Sequence, residues 1–346
     1  MIYIKNKNLI AFKFLIITLI SITVVIFGVA LGSVYITPIS TISIIIYKLF
    51  NYSFIPIEDI SNTSISIIWN IRLPRVLLAF ITGGGLAFSG AIMQSILKNP
   101  LASSYTLGVS SGAGLGASFS ILFNIYIFGI FTLPIFGFTS GVITVILAVL
   151  LATKMDKGII NNNTIILTGM AFSLFADSIM SILMAFKKES LQNLIFWQMG
   201  HFGSKDSRYL YILYPSVIII FLLVILKHIE LDILTFGDEQ ASVTGVDVSN
   251  TKWYLIILSA ITSGIIISIS GIIGFIDLFV PHIARSIFGT KHRYILPACF
   301  ILGGAFMVVC DLIARTIVAP AELPVGSITA FIGAPFFIYV YIKSKK

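Results

Sequence analysis

Residues 70–97 read NIRLPRVLLAFITGGGLAFSGAIMQSIL, and the next charge is Lys98. An asparagine, two arginines and a proline stand at the head of an apolar stretch. A helix needs about 20 such residues to cross a hydrocarbon core about 30 Å thick. The stretch therefore reads as a transmembrane span starting near Val76, with two cations at its mouth. Pro74 suits a helix start, because its missing N–H costs nothing there. Arg72 and Arg75 are three apart and share a helix face once the helix has begun.

The rest of the chain has the same character. Its 346 residues are 58% hydrophobic and 10% charged, with a mean hydropathy of +1.04. Such values exclude an ordinary soluble domain. Apolar runs fall at 14–35, 76–97, 101–123, 131–153, 164–186, 209–226, 253–270, 272–288, 294–318 and 325–342. The sequence thus predicts an all-α polytopic membrane protein of about ten spans, a single transmembrane domain over 1–346 with no separate soluble domain. Its weakest boundaries are near 100 and 271. The first run has a basic head like a signal peptide, but it is too long and shows no A-x-A site, so it reads as a retained span.

An even number of spans puts both termini on one side, and the Lys/Arg bias chooses which. With the termini inside, inner segments hold thirteen Lys and Arg residues, including Lys98, Lys154, Lys157, Lys227, Lys252, Lys345 and Lys346. Outer segments hold seven: Lys48, Arg72, Arg75, Lys187, Lys188, Lys205 and Arg208. The expectation is a cell-membrane protein, plasma or inner, with cytoplasmic termini. The formal net charge of +8 is scattered over loops rather than gathered on one face, which speaks for membrane orientation and against nucleic acid.

Motifs for chemistry fail one by one. The glycines at 83–85 and in GVSSGAGLGA follow no strand and bring no G-K-[ST], so no nucleotide site is encoded. Gly108, Gly112 and Gly116 repeat every four residues, a pattern for close helix packing. The four histidines lack metal-ligand spacing, and Cys299 and Cys310 are about three helical turns apart, too far for a disulfide. No cofactor, metal or catalytic residue is expected, and the absence of a nucleophile or base constellation disfavours a membrane-embedded enzyme.

Charges at membrane depth are costly and mark partners or wet cavities. Asp177, Asp277, Arg285, Asp311 and Arg315 qualify, with Asp311 and Arg315 placed for an i, i+4 pair. Asp277, Pro281 and His282 share GFIDLFVPHIARS, where Pro281 is expected to kink or break the helix; they are the candidate pathway or gate residues. The interval 227–252, KHIELDILTFGDEQASVTGVDVSNTK, interleaves apolar and charged residues between two glycines. It predicts two short amphipathic helices outside the membrane, suited to docking a protein or resting on lipid headgroups.

Taken together, IRLPRVLLAFITGGGLAFSGAIMQSILKNPLASSYTLGVSSGAGLGA, GDEQASVTGV, GFIDLFVPHIARSIFGTKHRYILPA, and DLIART followed by APAELPVGSITAFIGAPFF resemble the FecCD family. These are membrane subunits of binding-protein-dependent ABC importers for iron siderophores, haem and cobalamin. The resemblance implies a cobalamin-permease-like, type II importer fold and a homodimer or close-paralogue heterodimer. It also implies two cytoplasmic ATPase subunits and an extracytoplasmic binding protein or lipoprotein. It assigns ATPase coupling to Gly237, Asp238, Glu239, Gln240, Ala241 and Gly245, and docking of the binding protein's carboxylates to Arg72, Arg75 and Arg315. Asp277 stands where the family commonly shows glycine. An ATP-independent secondary transporter is the rival, against which stand the lack of an evident inverted repeat and the few mid-membrane charges.

Overall fold

The structure is a computed structural model describing residues 2–52, 56, 60–156, 161–186, 190–203 and 205–344. Lys157, Lys187, Lys188, Lys345 and Lys346 of the charge count lie outside the described residues. Among the described residues every regular element is helical. The α-helices are α1 (Ile2–Ala30), α2 (Pro38–Phe50), α3 (Asn62–Ser66), α4 (Leu73–Ile96), α5 (Val109–Leu122), α6 (Thr132–Met155), α7 (Asn162–Phe186) and α8 (Leu191–Gln198). They continue as α9 (Leu210–Ile225), α10 (His228–Leu234), α11 (Asp238–Val243), α12 (Val248–Ser270), α13 (Ile276–Phe288), α14 (His292–Thr316) and α15 (Val325–Ser344).

Among the described residues seven helical stretches are long and apolar enough to cross a membrane, built on α1, α3–α4, α6, α7, α9, α12 and α14. The three remaining apolar runs form the shorter α5, α13 and α15. Ten apolar runs thus become ten helices, while α2 and α8 are additions. Thr37 caps α2 by accepting from Ser40 N, Pro38 opens it, and Asn51 ends it in the left-handed region.

The quoted stretch differs from expectation in one respect. Helix begins at Asn62 and runs unbroken to Ile96. Pro74 has no N–H, and just before it the helix widens to a π pattern over Ile67–Arg72, with Leu73 N bonded to Ile68 O. Arg72 and Arg75 therefore lie inside a helix, not at its mouth.

That helix is the centre of the bundle, with 89% of its most apolar window buried. It crosses α14 where a Cβ on Gly83 would stand 2.2 Å from Gly303 O, so the two backbones touch and only glycine fits. The expected glycine face on α5 packs likewise: Gly112 lies against Thr144 and Gly116 against Phe136 O, both on α6. Cys299 and Cys310 are free and buried.

Two ends of the bundle follow from the contacts. Phe14 near the start of α1 meets Phe288 at the end of α13, and Phe279 of α13 meets Phe336 of α15. The start of α1 and the end of α15, which runs beside α13, thus lie at one end, called here the terminal end. The far end holds Ala30, Arg72 and Arg315. Three segments stop short of crossing: α8 dips in from the far end, and 271–275 and the start of α15 meet it, with His201 N bonded to Ser270 O and Val325 N to Gly200 O.

Candidate coupling face, pathway lining and arginine cluster

At the terminal end, α10 and α11 lie across the bundle. Gly237 (φ 131°) and Gly245 (φ 85°) bracket α11 in conformations that a side chain would strain. Asp238 accepts from Lys98 Nζ at 2.8 Å and from Lys252 Nζ at 2.6 Å, while Lys252 also donates to Asn162 Oδ1. One carboxylate thereby ties α11 to the end of α4 and the starts of α7 and α12. Burial pushes the Asp238 carboxyl up, but the hydrogen bonds from Lys252 and Lys98 outweigh it and leave the group below 3.8. Ala241 is buried, whereas Glu239, Gln240 and Gly245 are exposed. Phe236 is 75% and Val243 90% exposed, large apolar groups at the tip of a polar element.

A second polar contact holds α10. Asp232 Oδ1 accepts from His292 N at 2.8 Å and stands 2.6 Å from its Nδ1, and His292 Nε2 is 2.6 Å from Ser95 Oγ. Here too burial raises the carboxyl and hydrogen bonds from His292 bring it below 3.8. No local pattern marks His292, Ser95 and Asp232 as a group, since they lie on three separate helices.

In the middle of the bundle the expected break comes earlier than Pro281. The chain leaves α12 at Ser270 and re-enters helix at Ile276, so Pro281 sits inside α13. Proline removes the donor for the carbonyl four residues back, which is that of Asp277. Gln94 of α4 replaces it, its Nε2 donating to Asp277 O at 3.2 Å and Leu278 O at 3.1 Å. Arg285 holds Gln94 Oε1 in turn. Gly90 permits the approach, since a Cβ there would be 2.0 Å from Asp277 O. A buried Pro four residues after a carbonyl calls for a side-chain donor, and that signal would have found Gln94. Asp277 is 2% exposed and faces Ser103 without closing a hydrogen bond of good geometry. His282 is exposed on the opposite side of α13, so the structure does not bring it to Asp277. Asp177 accepts from Ser111 Oγ at 3.2 Å.

At the far end the three arginines sit close together but turn inward. Arg72, 5% exposed, donates to the carbonyls of Val29, Ala30 and Val34. It caps the end of α1, where backbone acceptors have no partner of their own. Arg315, 8% exposed, donates to Gly28 O and lies 3.6 Å from Asp311. The stronger partner of Asp311 is Arg75, at 2.8 Å, and Arg75 also reaches Glu322 at 2.6 Å. The expected i, i+4 pair is thus the weaker half of a three-way contact. Of the three arginines expected to dock the binding protein, Arg72 and Arg315 give donors to buried carbonyls near the end of α1. Arg75 borders a cleft of about 250 Å³ with Asn70, Lys205 and Asp206. Near it His201 is pushed down to about 4, by burial first and then by Lys205 and Arg75, and is uncharged at neutral pH.

Among the described residues, ten apolar helices with a break between α12 and α13, an amphipathic element clamped to one end and a glycine-sealed centre define a polytopic helical membrane protein. The chain belongs to the FecCD transport family, whose pattern matches residues 17–343. It is 35% identical to the hemin transport system permease of Yersinia pestis over 81% of this chain and 84% of that one. It is 31% identical to the Fe(3+)-citrate import system permease of Bacillus subtilis over 97% and 96%. A solved inward-facing metal-chelate type ABC transporter is 26% identical, with a TM-score of 0.80, covering 94% of this chain and 97% of the other. The chain is accordingly an integral membrane permease subunit of an ABC importer, in a family whose members work with ATPase subunits and binding proteins.

Proposed function

We propose that this permease carries a bulky iron chelate, a ferric siderophore foremost, into the cell, driven by ATP hydrolysed on two separate subunits seated against α10 and α11. One observation carries it: Phe236 and Val243 stand exposed on a short element that Asp238 clamps to α4, α7 and α12. An apolar tip fixed to several spans is suited to receive a push and pass it on. The 227–252 segment with both termini then faces the cytoplasm. Single cysteines at Ser249 and Ser190 label from opposite sides of sealed vesicles in this arrangement; labelling of both from one side overturns it.

Two copies, or this chain with a close paralogue, enclose the pathway. Supporting this, α7 exposes Leu174 at 68% beside exposed Ser178 and Ser181 and half-buried Asp177, a polar strip unsuited to lipid. The break at 271–275 ahead of α13 and the adjoining Asp277 line this pathway, with Pro281 and His282 further along α13. On the outer side the binding protein docks around Arg75 and Glu322, the latter's side chain 41% exposed, with Arg72 and Arg315 holding the helix ends behind them.

Haem is the second reading for the cargo, favoured by the relative named for hemin. Reconstituted vesicles with the partner ATPase and binding protein test both: ATP-dependent uptake of ferric siderophore and not of hemin supports the first, the reverse the second. Uptake without ATP points to a secondary transporter.

A further inference from the structure

We propose that Asp232, His292 and Ser95 form the linkage through which displacement of α10 reaches α4 and α14, with His292 as its positioning residue; this rests on α10 and α11 being the ATPase contact. The three groups come from α10, the start of α14 and the end of α4, and α10 packs on both of those helices. An ionised carboxylate only accepts, so the ring proton on Nδ1 faces Asp232 and Nε2 of a neutral ring accepts from Ser95 Oγ–H. Asp232 takes the His292 backbone N–H with its other lone pairs, which fixes the first turn of α14 as well as its side chain. Ser95 Oγ is also 2.9 Å from Ala91 O, an alternative acceptor within its own helix when the link to His292 opens.

The atom order, carboxylate to Nδ1 and Nε2 to hydroxyl, is that of a hydrolase triad. The surroundings are not: Ser95 is 5% and His292 1% exposed, enclosed where three helices pack, and a nucleophile needs access to its substrate. A linkage whose His292 and Ser95 ends are dry and whose Asp232 end reaches the rim is suited to force instead. Breaking it leaves the buried His292 ring without a partner, which is costly and favours the three helix ends moving together. The Asp238 clamp is the wetter of the two: its carboxylate is 38% exposed against 30% for Asp232, and one of its partners, Lys98, is 32% exposed, where His292 is 1% and Ser95 5%. Of the two attachments of the coupling element, the one to α4 and α14 is the rigid one. Those helices form the glycine-sealed centre of the bundle, so what reaches them reaches the pathway.

The test uses the full complex of permease, ATPase and binding protein in vesicles, reading ATP hydrolysis and cargo uptake together. His292→Ala is expected to leave the ATPase subunit bound and its KM for ATP unchanged, while uptake per ATP falls about tenfold, the scale of one charged hydrogen bond lost. Ser95→Ala, a smaller change, lowers the same ratio. Asp232→Asn keeps an Oδ1 acceptor for both His292 donors and restores most of the ratio that Asp232→Ala loses. An unchanged ratio in folded His292→Ala and Ser95→Ala overturns the linkage. Val243→Glu separates this from the premise: if it leaves ATPase binding intact, α11 is not the contact and the premise itself is wrong.

Discussion

The two ends of the bundle carry similar charge in sequence and opposite use of it in structure. At the far end Arg72, Arg75 and Arg315 meet carbonyls and carboxylates of their own chain, and the deepest of those partners, Asp311, has no exposed side-chain surface. At the terminal end Lys98 and Lys252 meet Asp238 at the rim, and the apolar Phe236 and Val243 are left uncovered. The pair of arginines that heads the second span helps to close the far end of the fold. The uncovered residues at the other end are apolar and stand in a stretch that reads as polar. Charge in a membrane protein marks where something must be satisfied; exposure decides whether the partner is inside or outside.

The contrast is broken most directly at Asp311. Asp311→Ala leaves Arg75 and Arg315 partly unpaired in a buried site, and loss of a buried partner costs about 3–5 kcal/mol. Denaturation of the purified protein in detergent is expected to show a loss of that order, the largest of any change considered. A loss under about 1 kcal/mol, the level of an exposed pair, makes the far end no more committed to the fold than the terminal end.

Arg72→Gln comes next. Its guanidinium caps three carbonyls, and charged hydrogen bonds contribute about 1.5–3 kcal/mol. Stability falls by that order while association of the binding protein with vesicles keeps its rate and salt dependence. Arg75→Gln, at the cleft, slows association. Slower association with Arg72→Gln at unchanged stability returns Arg72 to the docking surface.

Much of this architecture was legible beforehand. The ten apolar runs became ten helices because length and hydropathy alone decide what can span a bilayer, and the glycine spacing of α5 was read as packing for the same local reason. The start of the second span was misplaced because Asn62–Ile71 is mixed in polarity and a π turn ahead of Pro74 has no sequence signature. The arginine partners were missed because Asp311 is 236 residues from Arg75, a separation no local pattern bridges. Asp277 was noticed as a charge out of place, but Gln94, the residue that tends its backbone, lies 183 residues away on another helix.

Val243→Glu sharpens the comparison from the terminal end. The side chain is 90% exposed, so stability is expected to change by no more than about 0.5 kcal/mol. A carboxylate placed in an apolar contact removes about 2 kcal/mol of binding, roughly thirtyfold in the dissociation constant of the ATPase subunit. Unaltered affinity by surface-immobilised binding takes the docking role away from α11.

The smallest effect concerns how α11 is held. Asp238 lies below its ordinary 3.8 because Lys252 and Lys98 donate to it, against the opposing push of burial. A carboxyl depressed on folding contributes stability that is fully present above its unfolded value and is lost as pH falls through its lower folded one. The clamp is therefore intact at neutral pH and opens only in acid, below 3.8. With its side chain 38% exposed, solvent and salt weaken the interaction, which leaves about 0.2–1 kcal/mol. Asp238→Asn at neutral pH imitates the protonated group, and amide exchange in α11 is expected to quicken by about two- to fivefold, with less difference in high salt. Asp232 carries a second depressed carboxyl on the neighbouring helix, so acid alone does not separate the two. If Asp238→Asn leaves exchange in α11 unchanged while acid still loosens the segment, the buried contact at Asp232 and His292 holds the whole coupling element, and the exposed clamp contributes nothing to its order.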